Sequence, residues 1–322
     1  VSPSSNDYEV WKASADAEAR KVFREMTKLE PRAARAYMVA VREAKGGIDV
    51  VALREALASG NLTAAEAALH LERFESTAGS VTTVFRDGFD RGAESGATAA
   101  KPLVVPGAVA IYDPLDPFIQ AQLRRHTAEL VSGITNTTKD GIRAVMGRAY
   151  ERGMHPSATA GYIQDLVGLT KRQALAVDNL HRRLIDEGVS EVKATARVKK
   201  YSAKLHKQRA MNIARTESSR MVNAGRHSMW KKLEQDGSFG DHANRIERVW
   251  ITNPDERLCE QCEPLDGEAV GLDESFPGGV MYPPLHPQCR CTVVLRLRRE
   301  KAWKVGVGNL RVCRCRHHRM AA

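Results

Sequence analysis

Apolar residues recur at three- and four-residue intervals through most of the first 235 positions, and the period changes only near the end of the chain. Trp11, Ala15, Ala19, Val22, Phe23 and Met26 predict a helix over residues 8–30. Pro31 fits the first turn of a next helix, which carries Tyr37, Met38 and Val41 and stops at Gly46-Gly47. A short helix over 49–58 halts at Gly60, and Thr63 with Glu66 fits a capping box for a helix over 64–74. The next helix, over 80–100, repeats Gly88, Gly92 and Gly96 every four residues. Glycines on one helix face either admit another helix at close range or mark a fraying end.

Four prolines interrupt the pattern over 101–117, where the apolar run 104–111 reads as an extended arm for packing on a partner. Helical periodicity resumes over 118–134, 137–153, 157–167 and 170–188, followed by a basic stretch to Lys200. The longest helix is expected over 204–235, with Ala210, Ala214, Met221, Gly225, Met229 and Leu233 on one side and Asp236-Gly237 as its stop. The segment 157–185 has the outline of a helix-turn-helix, but such pairs are common in helical proteins that never touch DNA. Alternation then replaces the helical period: 245–252 and 292–297 read as strands that can pair and clamp what lies between them. The expected class is mainly α (α+β). Its parts are a helical N-terminal domain (1–100), a Pro-rich linker (101–117), a central helical domain (118–236), a metal-binding β module (237–300) and a basic tail (301–322).

Composition narrows the picture. Aromatics are only 6% of the chain, and no apolar run approaches the roughly 20 residues needed to span a bilayer. The net charge of +10 is uneven: 1–170 is nearly neutral, 171–232 carries about 11 excess positives, 233–295 is acidic by about 8 and 296–322 basic by about 8. Localised basicity points to a polyanion or an acidic protein face, with a solvated helix face as the plainer alternative. The cations singled out for DNA or partner contact are Lys199, Lys200, Lys204, Lys207, Arg209, Arg296, Arg298 and Arg299. No block of alternating aromatic and basic residues resembles an RNA-binding sheet.

The candidate chemistry lies between residues 259 and 291. Cys259 and Cys262 form a Cys-x-x-Cys pair, and His286, Cys289 and Cys291 follow about two dozen residues later. Two short-spaced pairs joined by a longer loop is the arithmetic of a structural Zn2+ site, in which each pair fills adjacent corners of a tetrahedron. Cys259, Cys262 and Cys289 are expected ligands, with His286 favoured over Cys291 for the fourth place. A redox role is disfavoured because no strand-then-helix context surrounds the Cys-x-x-Cys. Cys313, Cys315 and His317 offer a second metal site in what otherwise reads as a disordered basic tail. Arg215 and Glu217 read as interdomain ion-pairing residues. They also supply the runner-up, an ADP-ribosyltransferase-like enzyme, beside a zinc-dependent nuclease or hydrolase. No phosphate loop, His-Glu-x-x-His or serine elbow accompanies them, so no catalytic residue is assigned.

Three features, taken in order, resemble the phage Mu F-like head-morphogenesis family, the minor head proteins of tailed bacteriophages. They are A-R-T-E-S at 214–218 followed by Asn223-Ala224-Gly225, then W-I-T-N-P-D-E-R-L-C-E-Q-C with L-D-G beyond, then P-P-L-H-P-Q-C-R-C before a β-prone run. The resemblance covers roughly 115–297. It implies a non-enzymatic virion protein inside the head near the portal, assembled in the bacterial cytoplasm. It further implies the portal protein as a partner, with capsid or scaffold proteins and non-specifically bound packaged double-stranded DNA as further ones.

Overall fold

The computed structural model describes residues 5–72, 79–253 and 260–298. Its helices are α1 (Ser5–Gly46), α2 (Val50–Ala58), α3 (Leu62–Ala67), α4 (Gly79–Ala100), α5 (Pro117–Glu151), α6 (Pro156–Gln164), α7 (Lys171–Asp186) and α8 (Glu191–Gln235). Three strands follow, β1 (Ile246–Ile251), β2 (Ala269–Gly271) and β3 (Thr292–Leu297). The class is α+β and mainly helical, as the periodicity predicts. No described helix is long and apolar enough to cross a membrane.

Several expected helix ends are not ends. α1 runs through Pro31, because Met26, Leu29, Ala33 and Tyr37 form one buried stripe across it. Burial along that stripe outweighs the roughly 3 kcal/mol that an interior proline costs. α5 likewise joins the two helices expected over 118–134 and 137–153, with Ile134, Thr138, Ile142 and Val145 buried across the junction. α8 begins at Glu191 instead of 204, since Ala194, Val198, Ser202 and Leu205 already face the core within the basic stretch. The capping box also shifts. Asn61, not Thr63, caps α3 by accepting the Ala64 N–H at 2.9 Å, and Glu66 pairs with Arg143 on α5.

α1, α4 and α8 cross one another at the centre, and a single apolar cluster extends from α1 through α4 to α5–α8. The α4 glycines serve this crossing. A Cβ at Gly92 would stand 2.1 Å from the Val222 carbonyl oxygen, and one at Gly225 would stand 2.0 Å from that of Phe89. The backbones therefore touch, and of the two readings of the glycine repeat the close approach holds.

The sheet is antiparallel in the order β2-β1-β3. Ile246 faces Leu297, Val249 faces Val294 and Ile251 faces Thr292, while Arg248 faces Val270 on β2. The three-residue β2 is too short to register in the sequence pattern. The β segment, rich in Pro and Gly, shares an apolar cluster with the helices. Trp250, Phe276 and Val293 pack with Ala93 and Ala97 of α4 and Met229, Trp230 and Leu233 of α8, so the helices complete its apolar core.

Candidate metal centre

β1 and the L-D-G turn set one side of the site. Thr252, just past β1, donates both its N–H and its hydroxyl to Asp266 Oδ1, each at 2.8 Å. Gly267, at φ 79°, turns the chain back so that its N–H reaches the Trp250 carbonyl at 2.8 Å. Leu265 N–H returns to the Cys262 carbonyl at 3.0 Å, which fixes Cys262 at the foot of this turn. Leu265 is buried beneath.

The other side is the loop entering β3. The Arg248 guanidinium is wholly buried, stacks 5.3 Å from the Phe276 ring and donates to the carbonyls of Gly271, Glu274 and Met281. One side chain thereby gathers the path from β2 to Met281. Burial pushes the Arg248 guanidinium down to about 10, so part of its charge is offset only by these carbonyl dipoles and the nearby acids.

These two supports bring Cys262, His286 and Cys289 together, with their ligand atoms all within 4.8 Å of one another. The sulfurs of Cys262 and Cys289 are 3.7 Å apart. Adjacent tetrahedral corners at a zinc–sulfur distance of about 2.3 Å would be about 3.8 Å apart. His286 Nε2 lies 3.0 Å from Cys262 Sγ. Its Nδ1 donates to the Pro287 carbonyl at 2.8 Å, which leaves Nε2 as the lone-pair atom facing the sulfurs. Both cysteines are buried and neither forms a disulfide. The Cys291 thiol donates toward Cys289, as do the backbone N–H groups of Cys291 and Leu285, and together they hold the Cys289 thiol below its ordinary range. The same contact pushes the Cys291 thiol up. A sulfur that receives amide donors and an imidazole fixed in one tautomer are the donor set a soft divalent cation needs.

Cys291 is buried beside Cys289 and outside the three-atom cluster. Cys259, Arg299, Cys313, Cys315 and His317 lie outside the described residues. Arg215 extends to Glu30 on α1 at 3.3 Å and to Gln288 at 3.2 Å, whereas Glu217 pairs within α8 with Arg220. Burial raises the Glu217 carboxyl, against the pull of Arg220.

Three of the cations assigned to a polyanion are otherwise engaged. Arg209 is buried, donates to Thr137 at 2.7 Å and is pushed down by desolvation, so its place on the surface is corrected to the core. Arg296 and Arg298 both pair with Glu247, and Arg296 also stacks on Trp11. Lys199, Lys200, Lys204 and Lys207 are exposed.

Residues that sequence reasoning passed over tie α8 to the site. Asn223 donates to the Cys291 carbonyl at 3.1 Å and accepts the Thr292 hydroxyl at 2.7 Å. Arg226, fully buried, bonds the Val293 carbonyl, Ser95 and Glu18. Asn223 stands within the quoted motifs, but its partners lie nearly 70 residues away in sequence, and nothing local signals them.

With that geometry in place, the comparisons fall on the same elements. A family model described as Phage Mu protein F like protein matches residues 140–294, from within α5 to within β3. That stretch, just under half of the chain, is similar to the phage Mu F-like family, a family of phage head-morphogenesis proteins. Comparison with curated proteins and with solved structures gives no match.

Proposed function

We propose that the protein is a minor head protein of a tailed bacteriophage, seated inside the head at the portal vertex, where it acts in head morphogenesis and in packaging or ejecting the genome. Its partners on this reading are the portal protein, capsid or scaffold proteins, and packaged double-stranded DNA bound without sequence preference. The observation that carries it is the coincidence of the family match with the α8–metal-loop–β3 unit, since the matched motifs are the ones that hold this unit together. The ion is Zn2+ in a structural role, held by Cys262, Cys289 and His286 with Cys259 completing the set. A closed four-ligand site leaves no open position for substrate. The partners of Arg215 and Glu217 further favour a structural role over an enzymatic one.

Imaging the portal vertex of particles at a resolution that traces this chain tests the proposal. The expected result is density for the helical body against the portal on the inner face of the head. Its consistent absence from purified particles, with the protein abundant in infected cells, would overturn the location.

A further inference from the structure

The N-terminal half of α8 presents a row of cations to solvent. Lys193, Arg197, Lys200, Lys204 and Lys207 are all exposed and are spaced four, three, four and three residues apart. At 100° per residue they fall within about 80° of arc, and at 1.5 Å per residue the row is about 21 Å long. Ala194, Val198, Ser202, Leu205 and Arg209, on the same turns, are buried, so the row points away from the body. No Asp or Glu occurs from residue 192 to residue 216.

Some cations elsewhere on the surface pair with carboxylates: Arg91 with Asp87 and Glu25, Arg143 with Glu66, and Arg296 with Glu247. Among the described residues no member of the row does. Three acids on this side of the helical body are engaged with other groups: Glu187 with Arg183, Glu191 with His181 and Asp165 with Lys45. A solvated helix face ordinarily alternates signs at i,i+4, whereas Lys193 with Arg197 and Lys200 with Lys204 set like charges there. This half of α8 exposes one large apolar side chain, Val192, which lies off the row. A protein interface needs buried apolar or aromatic anchors; a phosphate backbone needs only spaced cations.

We propose that this row is the surface on which the protein holds duplex DNA, each cation meeting a backbone phosphate and none reading a base. It replaces the wider set drawn from the sequence: Lys199, Arg209, Arg296 and Arg298 drop out, Arg299 lies outside the described residues, and Lys193 and Arg197 enter. That the DNA is a packaged genome rests on the head-protein reading; the binding is a property of the chain alone.

The test is fluorescence anisotropy of the full-length protein with a labelled mixed-sequence duplex of about 20 base pairs, across a salt series. Each phosphate contact contributes about 0.9 to the slope of log K against log salt. The variant K200Q/K204Q/K207Q is expected to flatten the slope by about 2.7 and to weaken low-salt binding at least about tenfold. K200R/K204R/K207R retains the wild-type slope. R86Q/K101Q, which removes two exposed cations on or beside α4, changes little. Equal losses in R86Q/K101Q and in the row variant, an unchanged slope in the row variant, no binding by the wild type, or a marked preference for one sequence would each overturn the proposal. So would stronger competition by polyglutamate than by unlabelled duplex, which would make the partner an acidic protein. Loss of this binding surface, with the protein still found at the portal, removes the surface and leaves the head-protein reading intact. DNA held through the row by a protein absent from virions does the reverse.

Discussion

Thr216 on α8 accepts the backbone N–H of Gln288 at 2.9 Å, although 72 residues separate them. Gln288 lies between His286 and Cys289 and holds a positive φ of 65°, a conformation that side-chain-bearing residues seldom adopt. A helix hydroxyl therefore steadies the turn on which two candidate ligands sit, and Arg215, one residue earlier, grips the Gln288 side chain. Thr216→Val is expected to lower stability by about 1 kcal/mol and to weaken metal retention, with Thr216→Ser near wild type. Thermal melts paired with a chelator titration read both effects. Equal metal retention in Thr216→Val would show that the turn holds itself.

The α4–α8 crossing makes a sharper prediction. Gly92→Ala and Gly225→Ala drive a methyl into backbone 2.1 Å and 2.0 Å away, and no rotamer change relieves that. A loss of about 3 kcal/mol or more is expected for each, at the upper end of overpacking effects. Gly133→Ala on α5 meets nothing within 4 Å and should stabilise the protein by about 0.5–1 kcal/mol through helix propensity. Chemical denaturation of the three variants decides the matter, and a mild Gly225→Ala would mean that the helices are farther apart than described.

Acid should destabilise the fold through its buried imidazoles. Burial first, then repulsion from Arg248 and Lys231, pushes His227 down to about 3, and burial also lowers His126 and His206. The unfolded chain, with ordinary histidines near 6.5, takes up protons before the folded one does. Stability from His227 is therefore complete above about pH 6.5 and falls as pH drops toward 3, by up to about 1.4 kcal/mol per pH unit. Urea midpoints measured from pH 7.5 to 5 should decline less steeply in His227→Gln than in wild type. Parallel declines would assign the acid sensitivity elsewhere.

Much of this was legible in the sequence, for reasons that differ by element. Cys262, His286 and Cys289 announce themselves because ligand spacing is local, and β1 and β3 because alternation is local. Helix ends at Pro31 and near Thr137 misread because the competing energy, burial of Leu29 or Ile142 against other helices, comes from residues far along the chain. Arg209 looked like its lysine neighbours, and only its position relative to Thr137 reveals that it is core. The partners of Asn223 and Arg226 stayed hidden for the same reason. By contrast, the helix crossing was half visible, since a glycine repeat fixes where two backbones can touch without naming the second one.

The account stands on one closed cation joining Cys262, Cys289 and His286, and elemental analysis of purified protein addresses it directly. Wild type is expected to carry one more zinc per chain than Cys262→Ser/Cys289→Ser, a difference independent of any ion held by Cys313 and Cys315. Equal zinc content in the two, with the wild type folded and soluble, would contradict it.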